Sequence, residues 1–555
     1  MDNFKVNNAI ILAAGFGSRF IPLTYEIPKS LIKVHGKPMI ERQIEQLLEK
    51  GITEIIVVVG HMKEKFNYLI DKYGVTLIYN PEFAIKNNLS SLYCVLPYLC
   101  SSYLLMADNW IEKNIFNEYE TRSWFSCIYF RGETDEWCVT VDENDKIESI
   151  SIGGQDAYAV VGPAYFSPSF SAKFSKYVKD YYNKPESYDY YWEHILKNEI
   201  NSLPMYMNKQ TDNVHEFDSL QELKEYDASY MQETGSRVMQ HIAKELHVAQ
   251  GEIEVTDIAN FFEKIRKNIS FTLKCKKNDI GHFQVVHGGY INLTLKFTYG
   301  GNDYIYRQPG YDTERFINRI SEAYSNNIGS ALGIDKSFIY MCPEEGWKIS
   351  RYIADARILD YHNEKDVEAA LGIMKTLHTC DKKTKHDFIV WKESVSVYEN
   401  IKNFGCDMFT DFEILFVKMK KLSAYIDADK NPLVLCHGDC WAPNYLITNE
   451  QVNIIDWEFS GNSDPGYDLG TFICCSDYTV AEALAVIDQY FNGHATSAQR
   501  RHMIANVALA SYFWFVYGIY MKTQGMDVGD FLDLWHVNIG LYAEQAFPLY
   551  EGGSK

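Results

Sequence analysis

The chain has 555 residues, more than one hydrophobic core sustains, because single cores stop growing at roughly 250 to 300 residues and then divide. Apolar residues make up 46% and charged residues 23%, close to the globular average, and the 40 Tyr and 31 Phe exceed what packing demands, so cages or stacking platforms are expected. A formal charge of -21 repels nucleic-acid backbones and anionic membrane surfaces, which excludes nucleic acid as a partner. The opening "MDNFKVNNAI" lacks a basic n-region and a small-residue cleavage site, and the twelve cysteines form no CxxC pair, so a reducing cytoplasm is the expected compartment.

From residue 8 to about 125, short apolar runs ("AIILAAG", "EIIVVVG", "VTLIYN", "YLLMAD") alternate with helical stretches such as "PMIERQIEQLLEKG". That rhythm predicts βαβ units and a mostly parallel, Rossmann-like sheet, with sites at the carboxyl ends of its strands. The expected boundaries are an α/β domain over 1–228, a helical connector over 229–265 and an α+β two-lobed domain over 266–555. The last begins with strands around a Gly-Gly-Asn turn and continues in helices. Within it, "VALASYFWFVYGIYM" at 507–521 falls short of the roughly 20 residues a spanning helix needs and reads as buried, without membrane insertion. Cys436 and Cys440 beside His437 have no second ligand pair at zinc-finger spacing and read as buried thiols.

The first strand breaks into a turn with Gly15 and Gly17, followed by Ser18 and Arg19. A dinucleotide fingerprint needs a third glycine, which is missing; a phosphate-facing turn with Arg19 and Lys29 as cations remains. The longer run "LAAGFGSRFIPLTYEIPKSLIKVHGKPMIERQIEQL" resembles the sugar-phosphate and choline-phosphate nucleotidyltransferases. That resemblance implies a triphosphate cradle at Ala13, Ala14, Gly15, Gly17, Ser18 and Arg19, with Lys29 on phosphate, and magnesium at Asp108, Glu216 and Asp218. The reaction it implies is attack by a substrate phosphate on the α-phosphorus, with release of pyrophosphate. "NNLSSLYCV", "DEWCV", "YDYYWEHI" and "HEFDSLQEL" resemble the choline-phosphate cytidylyltransferase branch. CTP is then the donor, Asn88 and Ser90 belong to the nucleotide site, and Trp137, Asp189, Tyr191 and Trp192 surround a quaternary ammonium by cation–π attraction.

In the second half, "LVLCHGDCWAPNYLITNEQVNIIDWEFSG" at 433–461 reads as a strand end, a loop with Asp439 and Asn444 five apart, a hairpin, and Asp456 ending its second strand. Phosphoryl transfer needs this set: a carboxylate to deprotonate the hydroxyl, then an amide and a second carboxylate for Mg²⁺. The stretch resembles the aminoglycoside phosphotransferase and choline kinase superfamily, which implies a protein-kinase-like fold with Asp439 as base, Asn444 and Asp456 on metal, and His437 bracing the loop. "HGD" and "DWE" replace the protein-kinase HRD and DFG, and no APE segment follows, which disfavours a protein substrate. By the same resemblance Gly288, Gly289 and Asn292 cover ATP, Arg307 contacts phosphate and Glu322 orients it. Asp464 and Asp468 are the structural and loop-bracing acids, and Trp441, Glu458, Trp514 and Tyr517 form a choline pocket.

Together the halves imply a fusion that makes phosphocholine from choline and ATP and then CDP-choline from phosphocholine and CTP. Two alternatives stay open: the same reactions on ethanolamine or another small amine, and a nucleotidyltransferase with a regulatory kinase-like domain. The oligomeric state is also open, a homo-oligomer included.

Overall fold

The computed structural model describes residues 3–211, 213–286, 292–311, 313–449 and 451–552. Gly288 and Gly289, expected over the nucleotide, lie outside the described residues. The chain divides into two compact units, Met1–Phe261 and Phe262–Lys555.

In the first unit the alternation of apolar residues decides the layers. Strand β1 (Asn8–Ala13) sends Ala9, Ile11 and Ala13 to one core and Ile10 and Leu12 to another on the opposite sheet face, so the run reads as continuously apolar. Helix α1 (Met39–Glu49) buries Ile40, Ile44 and Leu47 at helical spacing on the first core. Strands β2 (Ile55–Val59) and β3 (Thr76–Tyr79), helix α2 (Asn88–Cys94), and strands β4 (Ser102–Met106) and β5 (Asn109–Ile111) follow. A long hairpin, β6 (Trp124–Val141) and β7 (Ile147–Phe166), precedes α3 (Pro168–Tyr182), α4 (Glu193–Glu199), β8 (Tyr206–Lys209) and β9 (Val214–Glu216). The seven-stranded sheet runs β8-β6-β7-β4-β1-β2-β3. Its β4-β1-β2-β3 portion is parallel, and the hairpin joins antiparallel to β4. Because β1 sits between β2 and β4, the strand order reverses there, and a crevice opens at the carboxyl ends of β1 and β4.

Beyond α5 (Leu220–Tyr226), helix α6 (Arg237–Leu246) packs into this unit. Buried Glu26 receives the Ser236 hydroxyl at 2.5 Å and the Arg237 and Val238 amides at 2.9 and 3.2 Å, capping α6 with a carboxylate. Tyr230 donates to the Lys33 carbonyl at 2.6 Å, and the His35 amide donates to Asp227 at 2.7 Å. The segment after residue 226 is therefore pinned to the stretch that carries Lys29. Glu26→Ala would strand three donors in the interior and is expected to cost about 2–4 kcal/mol. Urea unfolding, with limited proteolysis of 229–253 as the local readout, checks this; unchanged protection would contradict it.

Helix α7 (Val255–Leu273) contains the division between the units. In the second unit a five-stranded antiparallel sheet has the order β10-β11-β12-β14-β13, where β10 is Gln284–Val285, β11 Leu293–Tyr299, β12 Asn302–Gln308, β13 Phe338–Met341 and β14 Lys348–Arg351. Helix α8 (Arg319–Ala331) lies between β12 and β13 in the chain, giving a small sheet-plus-helix lobe. The larger lobe is helical, with α9 (Glu364–His378), α10 (Val390–Met408) and α11 (Phe412–Ala428) preceding four short strands. These strands are β15 (Val434–Cys436), β16 (Tyr445–Ile447), β17 (Val452–Ile454) and β18 (Gly461–Ser463), paired β15 with β18 and β16 with β17. Four helices complete the lobe: α12 (Pro465–Cys474), α13 (Val480–Tyr490), α14 (Ser497–Thr523) and α15 (Phe531–Glu551). By length and composition α14 could cross a membrane, but 94% of its apolar window is buried within the protein.

Candidate active sites

The crevice of the first unit is built by the loop after β1 and the turn after β4. Gly17 has φ +64°, and a Cβ there would meet Lys29 Cβ at 2.8 Å, so glycine lets the loop close against the lysine. Thr24 ties the loop down by donating to the Gly17 carbonyl at 3.0 Å. Opposite, buried Gln43 on α1 donates to the carbonyls of Met106 and Asn109 at 2.8 and 2.7 Å, clasping the turn that presents Asp108. Strand β9 lies antiparallel to β5 with Glu216 opposite Asn109, which brings Glu216 and Asp218 to the same place.

The expected cations and the expected metal ligands here hold one another. Lys29 Nζ lies 2.8 Å from Asp108, and Arg19 lies 2.5 Å from Asp218. Burial pushes the Lys29 ammonium down, but Asp108, then Glu216 and Asp218, more than offset this and raise it above its ordinary value. Desolvation by the crowded groups around it, then the neighbouring Asp108, pushes the Glu216 carboxyl up to about 8, although the residue keeps an exposed edge. Three carboxylates crowded at a strand edge offer hard oxygen donors short of positive charge, a donor set that fits a divalent ion such as Mg²⁺.

Beside this crevice, the His194 ring stacks on Tyr190 at 4.6 Å and meets the edge of Trp137 at 4.8 Å, with Tyr191 at 6.1 Å. Tyr191 is exposed and available to a ligand. Trp192 corrects the sequence expectation: it has no exposed surface and packs on Phe125, Phe166 and Phe174 in the core, so it forms no wall of a binding site. Ser90 is corrected likewise, being buried with its hydroxyl donating to the Asn87 carbonyl and accepting from Asn80. Asn88 accepts from the Trp192 amide at 2.9 Å and so holds the segment that carries Asp189 and Tyr191.

In the second unit the loop between β15 and β16 hangs from Asp468 of α12, which accepts the amides of His437 and Gly438 at 2.8 and 2.7 Å. Gly438 has φ +86°, and a side chain there would strike the Phe459 backbone. His378 holds Asp468 from the far side at 3.0 Å. His378, Cys436 and Asp468 form a buried grouping of metal-type ligands, yet the Asp468 oxygens are already taken by two amides and an imidazole. His437 Nδ1 accepts the Asp439 amide at 3.2 Å and its Nε2 reaches the Ile455 carbonyl at 3.1 Å. Burial pushes His437 down to about 4, so it braces the loop as a neutral ring.

Asn444 donates to the Asp439 carboxylate at 2.8 Å. Burial, then nearby Asp456, drives the Asp439 carboxyl well above its ordinary range. Asp456 itself sits at φ +70°, an uncommon conformation for a non-glycine residue. Burial works against its charge, but Arg307 and then Lys348 hold its carboxyl below the ordinary value. Arg307 contacts both Asp456 and Glu322, and Arg319 pairs with Glu322 at 3.0 Å. Asn292 donates to Glu458 at 3.0 Å, and burial, then Asp456, pushes the Glu458 carboxyl up to about 7. The carboxamide of Asn444 and the carboxylate of Asp456 are again oxygen donors of the kind Mg²⁺ takes.

Asn292, Arg307, Asp439, Asn444, Asp456 and Glu458 line a cavity of about 470 Å³ together with the aromatic Trp441, Trp514, Tyr517, Phe531 and Trp535. Trp514 and Tyr517 both meet Phe459, at 5.2 and 5.3 Å, while Phe531 bridges Trp441 and Trp535 at 5.6 Å each. Sequence reasoning missed Phe531 and Trp535, whose i, i+4 spacing on α15 was the available signal. Lys348, Arg319 and Gln43 carried no local signal.

One unit thus has a glycine turn, two cations and three carboxylates at a strand-order switch, and the other a kinase-type loop over a cavity lined by both ionic and aromatic side chains. Both are nucleotide-dependent group-transfer sites in class. Residues 9–109 match the MobA-like NTP transferase domain, and residues 283–505 match the choline/ethanolamine kinase family. The chain is 38% identical to a choline-phosphate cytidylyltransferase of Streptococcus pneumoniae, over 39% of this chain and 95% of that one. It is 36% identical to a 2-aminoethylphosphonate cytidylyltransferase of Lancefieldella rimae, over 41% and 95%. A LicA protein of Haemophilus influenzae is 23% identical over 47% and 83%. Among solved structures, the CTP:phosphocholine cytidylyltransferase LicC of Streptococcus pneumoniae covers 41% of this chain and 99% of its own, at 36% identity and TM-score 0.40. The choline kinase LicA of the same organism covers 51% and 99%, at 23% identity and TM-score 0.45. The chain belongs to the MobA-like nucleotidyltransferases through its N-terminal half, fused to a C-terminal choline/ethanolamine-kinase-like domain.

Proposed function

We propose that this enzyme makes CDP-choline in two steps, phosphorylating choline with ATP in the second unit and joining phosphocholine to CTP in the first. The observation that carries the reading is the cavity of the second unit, where Asp439, Asn444 and Asp456 share one space with Trp441, Trp514, Tyr517, Phe531 and Trp535. A quaternary ammonium has no N–H to donate, so aromatic faces and a nearby carboxylate such as Glu458 suit it.

In the kinase step the choline oxygen attacks the γ-phosphorus, the bond from that phosphorus to the ADP oxygen breaks, and the hydroxyl proton passes to Asp439. A carboxyl raised above its ordinary range suits a proton acceptor. Asn444 fixes the rotamer of that carboxylate, and His437 and Asp468 fix the loop beneath it. In the transferase step a phosphocholine oxygen attacks the α-phosphorus of CTP and pyrophosphate leaves. Arg19 and Lys29 then exchange their carboxylate partners for phosphate oxygens, as charge grows on the triphosphate. Asn444 and Asp456 would hold Mg²⁺ in one unit and Asp108, Glu216 and Asp218 in the other, and the chemistry such an ion supplies is neutralisation of the polyphosphate.

The test is to incubate the protein with choline, ATP, CTP and Mg²⁺ and identify products by mass spectrometry. CDP-choline is expected, with ethanolamine turned over at least tenfold more slowly; equal turnover of the two amines would reject choline as the substrate. A second reading, in which the first unit takes an aminophosphonate, draws on the Lancefieldella rimae relative. Offering 2-aminoethylphosphonate with CTP separates the two.

A further inference from the structure

Resting on the kinase reading of the second unit, we propose that Lys348 is a second phosphate-contacting cation of the ATP site, working beside Arg307. Lys348 stands directly opposite Arg307 in the antiparallel pairing of β12 with β14. Paired residues point to the same sheet face with Cβ atoms about 5 Å apart, so both side chains enter the same cavity.

Its surroundings give the ammonium two long ion pairs but no hydrogen bond among the described residues. The nearest carboxylate oxygens are on Glu322 at 3.8 Å and Asp456 at 3.9 Å, beyond hydrogen-bond reach. Those carboxylates are already engaged, Glu322 by Arg307 and Arg319 and Asp456 by Arg307. Asp335, also lining the cavity, is taken by the Ser337 amide at 3.0 Å, the Ser337 hydroxyl at 2.6 Å and the Phe338 amide at 3.3 Å. Among the described residues no hydrogen bond reaches Lys348 Nζ, although the side chain is only 10% exposed.

A buried ammonium with three unused donors is costly unless a ligand satisfies it. The position opposite Arg307 adds like-charge repulsion. Both costs reverse when a group with several negative oxygens enters. A nucleotide polyphosphate is such a group, and Lys348 donates to it as a compact charge while Arg307 stays bound to Glu322.

The measurement is the affinity of the full chain for a non-hydrolysable ATP analogue and for adenosine, by direct and displacement calorimetry in Mg²⁺ buffer. K348M is expected to bind the analogue at least tenfold more weakly and adenosine within twofold of the parent, since only the polyphosphate touches the lysine. Equal weakening of both ligands, or an unchanged affinity for the analogue, would overturn the assignment. K348Q serves the same comparison if K348M does not fold. If the parent chain binds neither ligand, the kinase reading itself falls and Lys348 with it, which is a different result from a parent that binds and a variant that binds equally well.

Discussion

Asp439→Ala is expected to stop phosphocholine formation, with a fall of roughly 10³-fold, while phosphocholine added to the same sample is still converted to CDP-choline at the parental rate. The size follows from position: the carboxylate lies in the kinase cavity, and Asn444 fixes it at 2.8 Å. Without it no other group on the loop can take the proton, since His437 turns its nitrogens to the Asp439 amide and the Ile455 carbonyl. Asp439→Asn is the sharper variant because it keeps the shape. It also removes one of three carboxyl groups, with Asp456 and Glu458, that repel one another in a buried space. In chelator its melting temperature is therefore expected to equal or exceed that of the parent, so lost activity cannot be read as lost fold. A melting temperature many degrees lower would contradict this picture of the site.

Asp108→Ala is expected to do the converse, letting phosphocholine accumulate as CDP-choline synthesis falls by roughly 10²–10³-fold. Asp108 is the partner of Lys29, and its removal takes an oxygen donor from the set shared with Glu216 and Asp218. The kinase reaction in the same tube reports that the second unit is intact. If either substitution abolished both reactions in folded protein, the picture of two independent sites would be wrong.

How much of this was legible in the sequence depended on how locally each feature is encoded. The kinase-type loop was legible because Asp439, Asn444 and Asp456 fall within one short strand–loop–hairpin, where spacing along the chain determines spacing in space. The parallel sheet was legible from apolar runs alternating with helices. Lys348 was not, because its meaning comes from lying opposite Arg307 across a strand pair, and nothing in "EGWKISRY" announces that register. Trp192 was misassigned for a related reason. Among three consecutive aromatic residues, composition does not say which one turns inward; Trp192 does, while Tyr191 stays exposed. Phe531 and Trp535 join the cage only because the last helix returns to pack against α14.

The cap that Glu26 places on α6 also bears on how defects in this protein will present themselves genetically. A screen scoring only loss of nucleotidyl transfer would return hits well outside the stretch that matches the transferase family at 9–109, among them changes at Ser236, whose hydroxyl donates to Glu26. Such alleles would look like linker mutations on a map of the chain. By their contacts they belong to the loop that carries Lys29, and they would complement kinase-deficient alleles in trans rather than behave as losses of both activities.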